Sequence, residues 1–274
     1  MNNLNKNKSL HIALVFDGFD QGGIGKVNLT LANWFLNNGH SVDLIVFSEN
    51  GPRKSQIPKC ARVISLERSK KFKLLFKLWS YFLANNPEGV FVANGKTSIY
   101  VAIAKSLARK SSRVVGIHHT NMNTDFANQG NSLYKVSLKC LAWFATRFLG
   151  LQLAAVSEGA KSGLSKYTGI NQRGIHVLYN PVFWDENTGG IPEDLKVWWS
   201  DGDIRLLTVG RLTPEKGYTT LFDALEILKK RANFRLMIVG SGPYESEIKR
   251  IVGEKSLENN VVLAGFHPNP RAFY

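Results

Sequence analysis

The sequence predicts an α/β protein with two domains, each built on a doubly wound parallel sheet. Short apolar runs of the kind that form buried strands alternate with segments whose apolar residues recur at helical spacing. The alternation stops once, at a polar stretch with two glycines and a proline at residues 185–192, and then starts again. A chain of 274 residues, 44% of them hydrophobic, is long enough to bury two cores.

The first domain is predicted to span residues 1–184 and to open with a buried strand at residues 11–16. Apolar residues at helical spacing follow, and Asn38-Gly39 is typical of a helix C-terminus. Short apolar runs predict further strands at residues 41–47, 63–66, 89–93, 113–117, 153–156 and 175–178. Helical spacing predicts helices at residues 70–84, 97–110, 132–149 and 158–167.

A linker is predicted at residues 185–202 and a second domain at residues 203–274. Its predicted strands lie at residues 205–209, 235–239 and 261–264, and its helices at residues 219–230 and 244–252. Domains usually have about 100–150 residues. We therefore expect this second domain to be incomplete.

The net charge of +14 and the pI of about 9.8 favour an anionic partner: nucleic acid, an acidic membrane surface or a phosphorylated small molecule. The basic residues form no recognisable nucleic-acid module, so no nucleic-acid partner is expected. Cys60 and Cys140 are too few for a disulfide framework and lack metal-ligand spacing. Neither a secretory signal nor a membrane-spanning run is found. We expect a cytoplasmic protein, free or peripheral on the cytoplasmic face of a membrane.

The stretch V-G-R-L-T-P-E-K-G at residues 209–217 joins a predicted strand to a predicted helix. Backbone N–H groups at a helix start attract anions, and Arg211 and Lys216 add two cations there. Arginine offers a bidentate fork for phosphate oxygens, and lysine offers a point charge. The loop is predicted to bind a phosphate; the alternative is two solvated surface charges.

A second glycine-rich loop follows the first strand and contains Gly22, Gly23 and Lys26. Glycines let the backbone approach a ligand, and the helix start favours negative charge. The loop matches neither the dinucleotide pattern nor the P-loop pattern. It is a candidate phosphate or acceptor loop, or simply a tight turn.

Other candidates also follow predicted strands, where open α/β sheets bind their ligands. His118 and His119 could hydrogen-bond a sugar hydroxyl or a phosphate, or act as acid or base; a structural role is the alternative. Ser157 suits a helix N-cap, and a cap can still line a cleft. The candidate cleft-lining residues are Ser157, Glu158 and Asn180, and the candidate nucleotide-binding residues are Gly240, Gly242, Gly265 and Phe266.

The segment at residues 68–83 is the clearest source of basic character, with Lys70, Lys73 and Lys77 beside more than one apolar flank. Such a helix can lie on an anionic membrane. An ordinary core helix with solvated lysines explains the pattern equally well.

Six motifs appear in order: G-G-x-G-K, A-V-S-E-G, Y-N-P-V, V-G-R-L-T-P-E-K-G, I-V-G-S-G-P and L-A-G-F. Together they resemble the GT-B glycosyltransferases of family four, the retaining glycosyl transferases group 1. The resemblance implies two Rossmann-like domains facing a cleft and a nucleotide diphosphate sugar as donor, more often a UDP-sugar than a GDP-sugar. It implies no bound metal or cofactor, and an acceptor among surface-polysaccharide or lipid-linked glycans.

By the same resemblance, Arg211 and Lys216 would hold the donor diphosphate, and Gly22 and Gly23 would approach the donor phosphate or the acceptor. His118 or His119 would match the histidine near the transferred sugar, with strand register favouring His118. Phe266 and the backbone near Gly265 would lie by the nucleobase.

The family also carries two glutamates eight positions apart in its C-terminal domain, and no two glutamates in this sequence have that spacing. We therefore expect part of the donor pocket to be missing. The chain would then be a fragment or a truncated product of an active transferase, a chain whose missing part another chain supplies, or an inactive chain. The resemblance implies a retaining hexosyltransferase. The alternatives are an inactive remnant that binds membrane or glycan and a nucleotide-sugar epimerase of the same fold.

Overall fold

The computed structural model describes residues 8–20, 22–67, 71–119, 132–181, 190–267 and 270–274. The chain folds into two compact units, Met1–Phe183 and Trp184–Tyr274, called unit 1 and unit 2 below. None of the helices within the described ranges is both long and apolar enough to cross a bilayer.

Unit 1 contains a seven-stranded, all-parallel sheet in the order β3-β2-β1-β4-β5-β6-β7. The strands are β1 His11–Gly18, β2 Ser41–Ser48, β3 Arg62–Ser65, β4 Gly89–Val92, β5 Arg113–His118, β6 Leu151–Ala155 and β7 Ile175–Val177. The helices are α1 Gly23–Asn37, α2 Lys71–Ala84, α3 Gly95–Leu107, α4 Ser132–Phe148 and α5 Glu158–Thr168. The predicted alternation of strands and helices and the doubly wound sheet are confirmed.

The central strands bury apolar side chains on both faces, as parallel sheets do. On one face Leu14 packs in a cluster with Leu29 of α1. On the other face Val15 belongs to a larger cluster that also takes in Leu78 of α2 and residues of α3, α4 and α5. Among the helices that the structure describes in unit 1, α1 therefore covers one face of the sheet, and α2, α3, α4 and α5 form a layer on the opposite face.

A buried carboxylate near the start of β2 ties this strand to three other elements, β1, β3 and α2. Asp43 accepts hydrogen bonds from Arg62 Nε at 2.8 Å, from the Tyr81 hydroxyl at 2.7 Å and from His11 Nε2 at 2.8 Å. Burial by itself raises the pKa of Asp43, but the hydrogen bonds from Arg62, Tyr81 and His11 outweigh it, so the pKa lies below its usual value. This ion-pair network stabilises the edge of the sheet away from the strand C-termini.

Unit 2 contains a three-stranded parallel sheet in the order β10-β9-β8. Its strands are β8 Ile204–Val209, β9 Phe234–Val239 and β10 Val261–Gly265, and its helices are α6 Glu193–Ser200, α7 Tyr218–Lys229 and α8 Glu245–Glu254. Helices α7 and α8 share one apolar cluster with the sheet. The opposite face meets Leu195 and Trp199 of α6 and the C-terminal Phe273.

Helix α6 lies inside the predicted linker at residues 185–202, so the second half of that segment is helical and is not a linker. Glu193 and Asp194 lie in its first turn, where negative charge favours a helix. Leu195 and Trp199 are four residues apart and pack together against the sheet of unit 2. Packing of these half-buried side chains makes residues 193–200 part of unit 2.

Candidate functional site

The loops that follow the three strands of unit 2 lie side by side, because the carboxyl ends of parallel strands meet at one edge. Leu212 N donates to the carbonyl oxygen of Ser241 at 3.0 Å, which joins the loops after β8 and β9. Gly240 N donates to the carbonyl oxygen of Gly265 at 2.7 Å, which joins the loop after β9 to the last residue of β10. The predicted donor-side residues are thus held at one edge of unit 2.

Arg211 and Lys216 both lie exposed on the loop after β8. Lys216 Cε is 3.9 Å from the position that a Cβ on Gly210 would occupy, so the lysine stem bends back over the end of the strand. Glu215 is the neighbouring acid, and its pKa is lowered by its own backbone N–H, by Thr213 and by the two cations. Within the described ranges neither cation makes a hydrogen bond or an ion pair, so both are available to an anion.

The helices that begin at the strand ends fall into two groups, those with a side-chain N-cap and those without one. Asn94 Oδ1 accepts from Lys96 N at 3.1 Å at the start of α3, and Ser157 Oγ accepts from Ala160 N at 3.1 Å at the start of α5. The N-caps of α1 and α7, Gly22 and Gly217, offer no side-chain cap. The first N–H groups of α1 and α7, like those of α8 after Tyr244, therefore have no side-chain cap and are open to an anion.

The glycine-rich loop forms the uncapped start of α1. Gly22 N donates to Asp20 Oδ1 at 3.0 Å, which fixes the turn. A Cβ on Gly23 would meet nothing within 4 Å, so the packing of the chain does not require glycine there. Lys26 is exposed on α1. An open backbone beside a lysine suits a phosphate or acceptor loop.

His118 is the last residue of β5, and its imidazole is packed against the first residue of α3. A Cβ on Gly95 would lie 2.2 Å from His118 Cε1, so the ring fits only because residue 95 is glycine. His118 is 9% exposed and, together with Gly95 and Ser98, lines a small cavity of ≈ 30 Å³. Burial, with a smaller effect of His119, lowers the pKa of His118 to about 4, so the ring is neutral at pH 7.

His119 is half-buried, and burial also lowers its pKa. Its Nε2 has no hydrogen-bond partner among the residues that the structure describes. Sequence reasoning named both histidines but missed Gly95, which supports one of them. The available signal was a glycine directly between a buried strand and a helix.

The three residues predicted to line the cleft lie at the same edge of the unit 1 sheet. Ser157 caps α5, as expected for its position. Glu158 is exposed and forms an ion pair with Lys161 at 3.8 Å. Asn180 is exposed beyond β7. Ser157 therefore already has a local structural role.

The glycines after β9 have a structural reason of their own. A Cβ on Gly240 would lie 1.8 Å from the carbonyl oxygen of Gly210, and one on Gly242 would lie 2.2 Å from that of Leu212. Only glycine lets the loops after β8 and β9 come this close. Gly265 adopts a φ of 73°, and Phe266, directly after it, is half-buried.

The lysines of α2 are placed differently from the predicted membrane-facing stripe. Lys77 Nζ donates to the carbonyl oxygen of Leu66 at 2.7 Å and to Glu67 Oε2 at 3.1 Å, so it is held within the protein. Lys73 is exposed, and Lys70 lies outside the described residues.

The histidine, cysteine and acidic side chains of the described ranges form no group of three or more suited to a metal ion.

Two family models match the sequence. The model described as "Glycosyltransferase Family 4" matches residues 21–183, and the model described as "Glycosyl transferases group 1" matches residues 192–274.

Curated relatives include the amylovoran biosynthesis glycosyltransferase AmsD of Erwinia amylovora, 25% identical over 258 residues that make up 92% of this chain and 68% of AmsD. A Campylobacter jejuni N-acetylgalactosamine-N,N'-diacetylbacillosaminyl-diphospho-undecaprenol 4-alpha-N-acetylgalactosaminyltransferase is 30% identical over 114 residues, 42% of this chain and 30% of its own length.

Solved structures with the same fold include Anabaena Alr3699/HepE in complex with UDP-glucose, with a TM-score of 0.72 and 16% identity over 96% of this chain and 71% of that chain. A glycosyltransferase from Rickettsia africae has a TM-score of 0.70 and 16% identity over 97% of this chain and 70% of that chain.

Proposed function

The chain belongs to glycosyltransferase family 4, and we propose that it moves a hexose from a nucleotide diphosphate sugar to a hydroxyl of a surface-polysaccharide or lipid-linked glycan, with retention of anomeric configuration. The observation that carries the proposal is the loop after β8. It presents two exposed cations, Arg211 and Lys216, beside a helix start without a side-chain cap. That arrangement suits a diphosphate.

The two cations supply most of the catalysis in this proposal. When the bond between the sugar C1 and the phosphate oxygen breaks, negative charge develops on the leaving diphosphate. Cations already in place stabilise that charge without reorganisation. The acceptor hydroxyl forms the new bond to C1 on the same face and passes its proton to an oxygen of the leaving phosphate, so no second carboxylate is required.

The acceptor-side groups lie in unit 1. A neutral His118 can donate one hydrogen bond and accept another, which suits a sugar hydroxyl better than a phosphate. The open backbone at Gly23 and the exposed Lys26 suit an anionic part of the substrate. Unit 1 therefore contributes hydrogen bonding and positioning.

The relatives' names support the choice of donor and acceptor. Alr3699/HepE binds UDP-glucose, which supports a UDP-sugar here. The Campylobacter enzyme's name specifies a sugar on diphospho-undecaprenol, and AmsD takes part in amylovoran biosynthesis. A lipid-linked intermediate of a surface polysaccharide is the acceptor class consistent with both. Such an acceptor would place the protein at the cytoplasmic face of a membrane.

A transfer assay tests the proposal. The full chain is incubated with radiolabelled UDP-glucose, UDP-N-acetylglucosamine or GDP-mannose and a mixture of undecaprenyl-diphosphate-linked sugars, and label in the lipid fraction is measured. We expect transfer from a UDP-sugar, which Arg211→Ala reduces by about 100-fold or more. The control Lys230→Ala/Arg231→Ala removes two exposed cations at the other end of α7 and should transfer normally.

Label released without an acceptor, or a sugar epimerised on its nucleotide, would contradict the proposal. Nucleotide binding without transfer to any acceptor would identify an inactive remnant.

A further inference from the structure

Helix α4 presents apolar side chains to solvent along most of its last two turns. Trp143 is 53% exposed, Phe144 47% and Phe148 61%. The rings contact one another, with centroids 5.9 Å apart for Trp143–Phe148 and 5.1 Å apart for Phe144–Phe148. A cluster of large exposed rings on one helix differs from the single exposed apolar residues that are normal on a surface.

Helix α2 adds two more exposed rings to the same side of unit 1. Phe72 is 89% exposed and Phe76 61%. Leu78 of α2 and Ala145 of α4 are both buried in the cluster on one face of the sheet, and α3 contacts both helices. The exposed sides of α2 and α4 therefore both point away from that face. The five rings Phe72, Phe76, Trp143, Phe144 and Phe148 are called the aromatic face below.

The charge of the two helices is entirely positive. No aspartate or glutamate occurs in α2, K-F-K-L-L-F-K-L-W-S-Y-F-L-A, or in α4, S-L-Y-K-V-S-L-K-C-L-A-W-F-A-T-R-F. Each contains three cations. The Arg147 guanidinium lies 5.7 Å from the Phe148 ring centroid, so charge and ring are adjacent on the surface. Aromatic rings beside cations match the interface of an anionic bilayer, where rings enter the headgroup region and cations meet lipid phosphates.

We infer that the aromatic face is a membrane-docking surface: α4 and α2 lie on an anionic bilayer with the rings inserted among the headgroups. Helix α4 has 17 residues, three of them cationic, which fits a helix lying on the surface rather than crossing the membrane. The surface includes α4, which the sequence pattern did not single out, and it excludes Lys77, which is held by Leu66 and Glu67.

A second copy of the chain fits this face poorly. A two-fold interface would place each copy's aromatic face against the same face of its partner, and cations would meet cations with no acid on either helix. Anionic lipid provides the complementary charge. The inference does not depend on the transferase reaction, because lipid binding needs neither donor nor acceptor.

Vesicle flotation of the full chain tests it, with phosphatidylcholine vesicles that contain 0% or about 30% phosphatidylglycerol. Trp143→Ser is compared with Trp34→Ser, since Trp34 is 42% exposed on α1 and faces the other side of the sheet. Trp143→Ser/Phe144→Ser/Phe148→Ser tests the cluster. Arg147→Gln and Lys73→Gln test the charges, and the control is Lys230→Gln/Arg231→Gln in unit 2. Circular dichroism establishes that each variant is folded.

We expect binding only to the anionic vesicles and weaker binding at higher salt. The triple variant should bind about tenfold or more weakly. Each of Arg147→Gln and Lys73→Gln should weaken partitioning by about fivefold, which corresponds to about 1 kcal/mol. The control variants should bind like the wild type.

Equal binding by folded triple-variant and wild-type protein would overturn the inference, and so would equal binding to neutral vesicles. The inference would also be overturned if the wild-type protein were a dimer and the triple variant a monomer, because the face would then serve self-association. Failure of the transfer assay together with normal flotation would reject only the proposed reaction.

Discussion

The imidazole of His118 rests on the α-carbon of Gly95, with Cε1 only 2.2 Å from where a Cβ would be. The last residue of β5 is thereby packed against the first residue of α3. Any other side chain at position 95 would displace the ring, so the orientation of this histidine is set by a residue more than twenty positions earlier in the sequence.

Replacing Gly95 with alanine is expected to push the His118 ring out of its position. Overpacking of this kind costs about 1–3 kcal/mol of stability. Urea unfolding measures the cost, and the transfer rate measures whether ring position matters for function. Gly159→Ala is the control, because a Cβ there would lie 3.9 Å from Ser157 Oγ, an ordinary contact. Equal stability of the two variants would contradict the packing described here.

The pKa of His118 predicts how stability depends on pH. The folded state holds the pKa at about 4, against the ordinary histidine value of 6.5, so between these values the unfolded chain binds a proton that the folded chain does not. The free energy of unfolding therefore has its full value above pH 6.5 and falls as the pH drops towards 4, by up to about 3 kcal/mol.

His118→Gln removes this titration. Urea unfolding of wild type and variant at pH 7.5, 6.0 and 5.0 should show the wild type losing stability faster as the pH falls. Parallel curves for the two proteins would show that His118 titrates normally in the folded state.

Replacing Asp43, which lies far from the strand C-termini, should lower the free energy of unfolding because it breaks a hydrogen-bond network. Asp43→Ala leaves the buried Tyr81 hydroxyl without its acceptor and removes a partner of the exposed Arg62 guanidinium, which together should cost about 1–3 kcal/mol. Asp223→Ala removes an exposed partner of Lys255 and should cost less than about 1 kcal/mol. Chemical unfolding measures both changes, and similar losses in the two variants would contradict the burial of the network.

Because the folded pKa of Asp43 is lowered, its contribution is present above the unfolded pKa of 3.8 and is lost as the pH falls through the folded value. The acid limb of the wild-type stability curve should therefore flatten in Asp43→Ala.

The close contact between Gly240 and Gly210 predicts that unit 2 does not tolerate a side chain at position 240. A Cβ there would lie 1.8 Å from a backbone oxygen, which cannot move aside as a flexible side chain can. Gly240→Ala should destabilise unit 2 by more than about 3 kcal/mol. Gly253→Ala in α8, where a Cβ would lie 3.8 Å from Glu258 Oε1, should be neutral or stabilising. Limited proteolysis followed by mass spectrometry locates the change, and a resistant Gly240→Ala protein would refute the prediction.

The sequence predicts the order of strands and helices well, because each buried strand is a short apolar run and each helix has a regular period. Gly39, for example, ends α1 with a φ of 81°, as its position after Asn38 predicts. Helix α6 was missed because it is only 8 residues long and follows a polar, proline-containing stretch. Glu193 and Asp194 at its start were the available signal.

Contacts between distant parts of the chain were beyond prediction from periodicity. Helix α2 has two apolar flanks, and only the folded sheet determines that Leu74 and Leu78 are buried while Phe72 and Phe76 are exposed. The support of His118 by Gly95 also depends on the pairing of β4 with β5. Arg211 and Lys216 could be named from the sequence because local chemistry, a strand followed by a glycine-containing loop and a helix, identifies an anion site.

A thermal-shift panel with UDP, GDP, UDP-glucose, UDP-N-acetylglucosamine and GDP-mannose tests the claim that Arg211 and Lys216 hold a nucleotide diphosphate. A ligand at 100 times its Kd stabilises the native state by about 2.7 kcal/mol. We predict a clear rise in Tm with the uridine ligands, lost in Arg211→Ala/Lys216→Ala and kept in Lys230→Ala/Arg231→Ala. A folded wild-type protein that responds to none of the five nucleotides, or a double variant that responds as the wild type does, would contradict the claim.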